Sequence, residues 1–238
     1  MLFFNSKLGK TPINVSVILS MSAPLPETVL FDLDGTLVDN FEGIHQCYND
    51  VMKLMGLPGV SYEQIRRAVG GSVNVTVQKL AGEDNAAVAT KLFREHFPSV
   101  MMQGVKTYAG CEEILEGLKA RGVRTAVYTN KDDTNSKKIM SYLKIDHLVD
   151  GVFGTNVHPW RKPQPEFTHF VTSTLGAKPQ STIMVGDSPF DIETARNGKL
   201  AAIHCVATGS HTVEELLPYG PDTVHIDLPA LQKSIFGF

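Results

Sequence analysis

Cysteine is scarce: the chain has three in 238 residues, Cys47, Cys111 and Cys205. They are odd in number and scattered, with no CxxC pair. That excludes a disulfide framework and a thiolate metal site, and it suits a reducing cytoplasm. Basic runs are missing too, and the net charge is −3, so nucleic acid is not an expected partner. No apolar run reaches the roughly 20 residues that span a bilayer, and no membrane partner is expected. What is present is ordinary for a globular protein: 42% hydrophobic and 20% charged residues. That is enough chain for one large domain or two small ones. Residues 1–26 carry Lys7 and Lys10 ahead of a short apolar patch, Val15 to Leu19. The patch is short for a signal peptide. The segment reads as a weakly ordered extension, with Met21 an alternative start.

The chain is organised around Val29-Leu30-Phe31-Asp32-Leu33-Asp34-Gly35-Thr36. Three apolar residues in a row predict a strand buried on both faces, as in a parallel sheet. Asp32 and Asp34 follow at i and i+2. Those positions share a side in extended chain, with Leu33 turned into the core. Gly35 permits a sharp turn. Two carboxylates this close repel, so a cation lies between them or one holds a proton; a hard ion with oxygen ligands such as Mg2+ suits that place.

Beyond this stretch the period changes. Phe41, Ile44, Tyr48, Val51, Met52 and Met55 recur at helical spacing, and Gly56 with Pro58 ends that helix. Ser61 and Gln64 form a capping box for the next. Val73, Val75 and Val77 alternate as in a strand, but Val73, Val77 and Leu80 also share a helix face. Helical neighbours favour helix. A further helix is predicted over about 85–97, stopped by Pro98. Residues 41–104 thus form an all-helical insertion between 27–40 and 105–238. After it, helices are predicted over about 111–120, 134–143, 166–175, 190–197 and 213–217, with a last one at the C-terminus. Strands are predicted at 125–128, 152–153, 182–185, 201–206 and 224–226. This alternation predicts an α/β fold, a doubly wound parallel sheet with helices on both faces.

In such sheets a site lies off the carboxyl ends of the strands. Three polar groups fall there or between strands: Thr129-Asn130-Lys131, Arg161-Lys162-Pro163, and Gly186-Asp187-Ser188-Pro189-Phe190-Asp191. Taken singly, each is an unremarkable turn, cap or surface charge. Together with Asp32 and Asp34 they form one constellation in order.

The segment DLDGTLVD, the threonine of TNK, the lysine of RKP and the GDxxxD segment resemble the four motifs of the haloacid dehalogenase superfamily. The resemblance spans roughly residues 27–227. It implies a Rossmann-like core with an inserted type 1 helical cap, and phosphoryl transfer through an aspartyl-phosphate. Asp32 is then the nucleophile. Asp34 is the general acid and then the base. Asp187, with Asp32 and the backbone carbonyl of Asp34, holds Mg2+. Thr129, Asn130 and Lys162 bind the phosphoryl group, and Asp191 supports them. From the cap, Arg66 and His45 are candidates to reach the substrate. The second aspartate favours phosphoryl transfer over dehalogenation. TNK is similar to the corresponding segment of phosphoglycolate phosphatase-like members. The expected substrate is a small phosphomonoester, handled by a cytoplasmic monomer or homodimer. Alternatives are a β-phosphoglucomutase-like phosphomutase, another sugar-phosphate or nucleotide phosphatase, and a non-catalytic phosphoacceptor module.

Overall fold

The computed structural model describes residues 25–238. Residues 1–24, most of the expected N-terminal extension, lie outside them. The apolar run becomes β1 (Thr28–Phe31), buried at every position. A two-residue strand β2 (Val38–Asp39) leads out to four helices: α1 (Phe41–Leu54), α2 (Tyr62–Ala68), α3 (Val73–Ala81) and α4 (Glu83–Val100). Strand β3 (Lys106–Thr107) returns antiparallel to β2. There follow α5 (Cys111–Ala120), β4 (Arg124–Asp132), α6 (Asp133–Tyr142), β5 (Gly151–Thr155), α7 (Pro165–Thr174), β6 (Thr182–Gly186) and α8 (Pro189–Asn197). The chain ends through β7 (Ala202–Val206), α9 (Val213–Leu216), β8 (Thr223–His225) and α10 (Leu228–Leu231), which continues into a π-helical turn.

The main sheet has six parallel strands in the order β5-β4-β1-β6-β7-β8. Side chains alternate across it, as strand geometry requires. Val29, Phe31 and Val127 pack with Ile114 and Ile139 on the face covered by α5 and α6. Leu30, Ala126 and Met184 pack with Phe167 and Ile192 on the face covered by α7 and α8. The chain winds from β1 to β4 and β5 on one side, then crosses to β6, β7 and β8. Strand order therefore reverses at β1, and a crevice opens at the carboxyl ends of β1, β4 and β6.

Helices α1–α4 build a separate apolar cluster from Phe41, Tyr48, Val51, Ile65, Phe93 and Phe97. The Ser61–Gln64 capping box is present. The 73–81 segment is helical, capped by Ser72, whose hydroxyl accepts from Val75 N–H. Pro98 does not end α4 as expected. It sits inside the last turn, where it removes one hydrogen bond to residue 94, while buried Phe97 and Val100 hold the turn in place. Among the described residues, no helix is long and apolar enough to cross a membrane.

Candidate active site

Asp32 follows β1, and its N–H still pairs with the Val185 carbonyl at 2.9 Å. That fixes the backbone under a side chain only 5% exposed. Lys162 Nζ donates to Asp32 Oδ1 at 2.8 Å and to Asp191 Oδ1 at 2.7 Å. The lysine arrives on the loop between β5 and α7, and Asn130 places it. Lys162 N–H donates to Asn130 Oδ1 (2.8 Å), and Asn130 Nδ2 donates to the Lys162 carbonyl (3.2 Å). The Asn130 side chain is thus a clamp on the lysine backbone. The expected phosphate donor here is the Asn130 backbone N–H, which this clamp leaves untouched.

Asp191 sits in the first turn of α8, at the N3 position. Its Oδ2 accepts from Asp187 N–H, Ser188 N–H and Ser188 Oγ at 3.2, 3.0 and 2.6 Å. Asp187 follows β6. Its Oδ2 accepts from the Ser210 N–H and hydroxyl at 2.7 and 2.9 Å. The close turn after Asp34 requires glycine: Gly35 has φ +90°, and a Cβ there would lie 2.6 Å from Asp187 Oδ2.

Asp32, Asp187 and Asp191 are all buried, with carboxylate oxygens within 4.8 Å of one another. Burial pushes the Asp32 carboxyl up to about 6, against the pull of the Lys162 ammonium. Burial, then the charges of Asp191 and Asp32, push Asp187 up to about 8. Burial by itself would lower Lys162, but Asp191 and Asp32 outweigh it and hold the ammonium charged. One lysine thus faces three carboxylates, and the cluster lacks positive charge. The donor set fits a hard divalent cation. Hydrogen bonds occupy both oxygens of Asp191 but leave Asp32 Oδ2 free of a donor among the described residues.

The Asp34 carboxylate is not part of that buried cluster. It turns to Lys131, whose Nζ donates to both of its oxygens at 3.2 and 2.9 Å. Each aspartate has its own lysine, so the repulsion between them is relieved from two sides. Thr129, only 2% exposed, and Lys131 lie inside β4, which runs beyond the predicted 125–128. The register against β5 shifts between Tyr128 and Asp132. Thr129 Oγ1 accepts from the Lys131 N–H at 3.2 Å.

A cavity of about 270 Å³ lies between the helical unit and the sheet, with Asp34, Asn130 and Lys131 on its floor. Tyr48, Phe93 and Phe97 wall it from the helices. Neither Arg66 nor His45 is among its lining residues. Arg66 Nη2 instead donates to the Thr208 and Gly209 carbonyls at 3.0 and 2.6 Å. It ties α2 to the loop that presents Ser210 to Asp187. His45 Nε2 lies 2.9 Å from the Val60 carbonyl and 2.8 Å from Asn49 Nδ2, inside the helical unit. A helical period shows that such residues share a face, but not which carbonyls that face meets.

Sequence reasoning assigned no role to Lys131 or Ser210. Lys131 had a signal, since it follows Thr129 in a strand that ends at the crevice. Ser210 had only its place after β7.

The parallel sheet, the reversal at β1 and a carboxylate–lysine cluster at the strand ends define an α/β enzyme of the Rossmann-like kind. The family model for haloacid dehalogenase-like hydrolases matches residues 29–205, and the chain belongs to that family. A phosphoglycolate phosphatase from Aquifex aeolicus (strain VF5) is 30% identical over 168 residues, covering 71% of this chain and 79% of the relative. Another from Pseudomonas fluorescens (strain Pf0-1) is 29% identical over 221 residues, covering 90% and 80%. The crystal structure of a predicted phosphatase from Clostridium acetobutylicum superposes with a TM-score of 0.83 at 26% identity. It covers 90% of this chain and 100% of that one.

Proposed function

We propose that this hydrolase is a Mg2+-dependent phosphatase that cleaves a small, phosphoglycolate-like phosphomonoester through an aspartyl-phosphate. The observation that carries the reading is Asp32, buried at the end of β1, with one oxygen on Lys162 and the other without a donor among the described residues. That is a nucleophile held by a cation with one oxygen uncommitted. The relatives named phosphoglycolate phosphatase support the substrate class.

Asp32 attacks phosphorus while the bond to the ester oxygen breaks. Asp34 delivers a proton to that oxygen, and the alcohol departs. Asp34 then takes a proton from the water that attacks the phosphorus of the aspartyl-phosphate, releasing phosphate and restoring Asp32. Lys162 and the Thr129 hydroxyl hold the phosphoryl oxygens, since this chemistry is mainly positioning and electrostatics. Mg2+, held by Asp32, Asp187 and the Asp34 backbone carbonyl, would offset repulsion between the carboxylate and the phosphate. Helices α1–α4 serve as the cap that keeps water from the reacting groups.

The test is phosphate release from phosphoglycolate, hexose phosphates and nucleoside monophosphates, with Mg2+, with EDTA and with Asp32→Asn. The expected result is Mg2+-dependent release that falls to background in the variant. Release that survives Asp32→Asn would remove the aspartyl-phosphate from the reading.

A further inference from the structure

Three cationic side chains line the cavity among the described residues, Arg94, Lys131 and Arg161, and of these Lys131 is the one paired with Asp34; the chemistry above does not use it. Its side chain is 8% exposed and that of Asp34 is 12% exposed. Its Nζ grips both Asp34 oxygens and lies 4.6 Å over the Phe97 ring. With its oxygen facing the ammonium, the Asn40 amide accepts from Lys131 at 3.1 Å and donates to the Met101 carbonyl at 3.0 Å. So the ammonium has three acceptors here, and two of them belong to Asp34.

That arrangement conflicts with the work assigned to Asp34. To reach the leaving oxygen, the carboxyl must give up at least one of its bonds to Lys131. A buried ammonium whose carboxylate partner is weakened is disfavoured, although the Asn40 amide stays beside it. Another anion taking the place of Asp34 offsets the loss. The phosphoryl group is engaged with Lys162 and Thr129, so the anion must come from the leaving group.

Resting on the phosphatase reading, we propose that Lys131 is the specificity residue for a carboxylate on the leaving group, taking that carboxylate in exchange for Asp34. Reach sets where the carboxylate lies. The ammonium is one hydrogen bond from Asp34, and Asp34 must come within one hydrogen bond of the ester oxygen. Each such bond is about 2.8–2.9 Å, so three in a row put the carboxylate within about 8–9 Å of the ester oxygen. A leaving group without it leaves Lys131 on Asp34 and the acid out of position. The substrate class is therefore a small phosphooxy carboxylate, and neutral sugar phosphates are disfavoured by the same ion pair that admits the acid.

The test compares phosphoglycolate with 2-hydroxyethyl phosphate, the same ester with CH2OH in place of the carboxylate. Wild type is expected to prefer phosphoglycolate by about a hundredfold or more in kcat/KM. In Lys131→Met the preference collapses to within about tenfold. KM for phosphoglycolate rises, while inhibition by inorganic phosphate, which needs only the Asp32 side of the site, keeps its constant. Lys131→Arg keeps most of the preference. Equal use of the two esters by wild type overturns the proposal without recourse to any variant. So does a preference that survives Lys131→Met with phosphate inhibition intact. Failure of wild type to release phosphate from either ester or from the wider panel would instead strike the phosphatase reading beneath it.

Discussion

Two buried lysines serve the site, and they are held in opposite ways. Lys162 lies between Asp32 and Asp191, and its own backbone is clamped by Asn130. Asp191 is fixed in turn by the Asp187 and Ser188 N–H groups at the start of α8. The partners of Lys162 belong to the strand ends of the sheet or to the first turn of α8 packed against it. Lys131 faces the cavity, and its charge is matched mainly by Asp34. The first lysine has two carboxylate partners and a clamped backbone; the second adjoins a cavity, which is what the exchange proposed above requires. The contrast teaches that burial alone does not make an ion pair rigid. What matters is how many other bonds fix each partner.

Removing the fixed lysine is the strongest way to break the comparison. Lys162→Met is expected to lower kcat by about 10²–10³-fold for every ester, as loss of one preorganised donor does. It should also lower the melting temperature, because Asp32 and Asp191 would be left buried without their cation. A steady-state assay across the substrate panel, paired with thermal melts, checks this. Uniform loss across esters would set Lys162 apart from Lys131, whose loss is expected to depend on the leaving group.

The acidic cluster sharpens the comparison through pH. Asp32 and Asp187 bind their protons more tightly in the folded chain, at about 6 and about 8, than at the ordinary 3.8. Their contribution to stability is therefore complete below pH 4 and is lost as pH rises through 6 and then 8. In EDTA the melting temperature should fall by about 10 °C or more between pH 5 and 9. Added Mg2+ should flatten that slope. A slope unaltered by Mg2+ would separate the cluster from metal binding.

The smallest effect is expected at the tie between helices and sheet. Arg66→Ala removes two hydrogen bonds to the Thr208 and Gly209 carbonyls, a loss of about 1–2 kcal/mol. KM should rise several-fold with kcat changing less, because the helical unit would spend less time against the sheet. Urea melts and initial-rate kinetics would show it. A large fall in kcat with KM unmoved would mean that Arg66 acts on Asp187 through the Ser210 loop instead.

Much of this was legible in the residue order. The run at 29–31 announced a buried strand, and alternation along it sent Val29 and Phe31 to one face and Leu30 to the other. The 73–81 segment was resolved as helix by its neighbours. The short pair of β2 and β3 was not legible, since two residues make no pattern and the partners, Val38 with Thr107 and Asp39 with Lys106, are far apart in the chain. The full length of β4 was missed because Thr129, Asn130 and Lys131 are polar, although their backbone remains in the strand.

The sequence by itself determined which groups stand at the strand ends. Strand period and parallel topology place residues after β1, β4 and β6 in one crevice whatever the details of packing. Tertiary structure alone decided which charge meets which. Asp34 on Lys131, Asn130 on the Lys162 backbone, Arg66 on two carbonyls and Ser210 on Asp187 join residues 23 to 143 positions apart. Such pairings depend on distances of a few ångströms between segments that the chain order does not bring together.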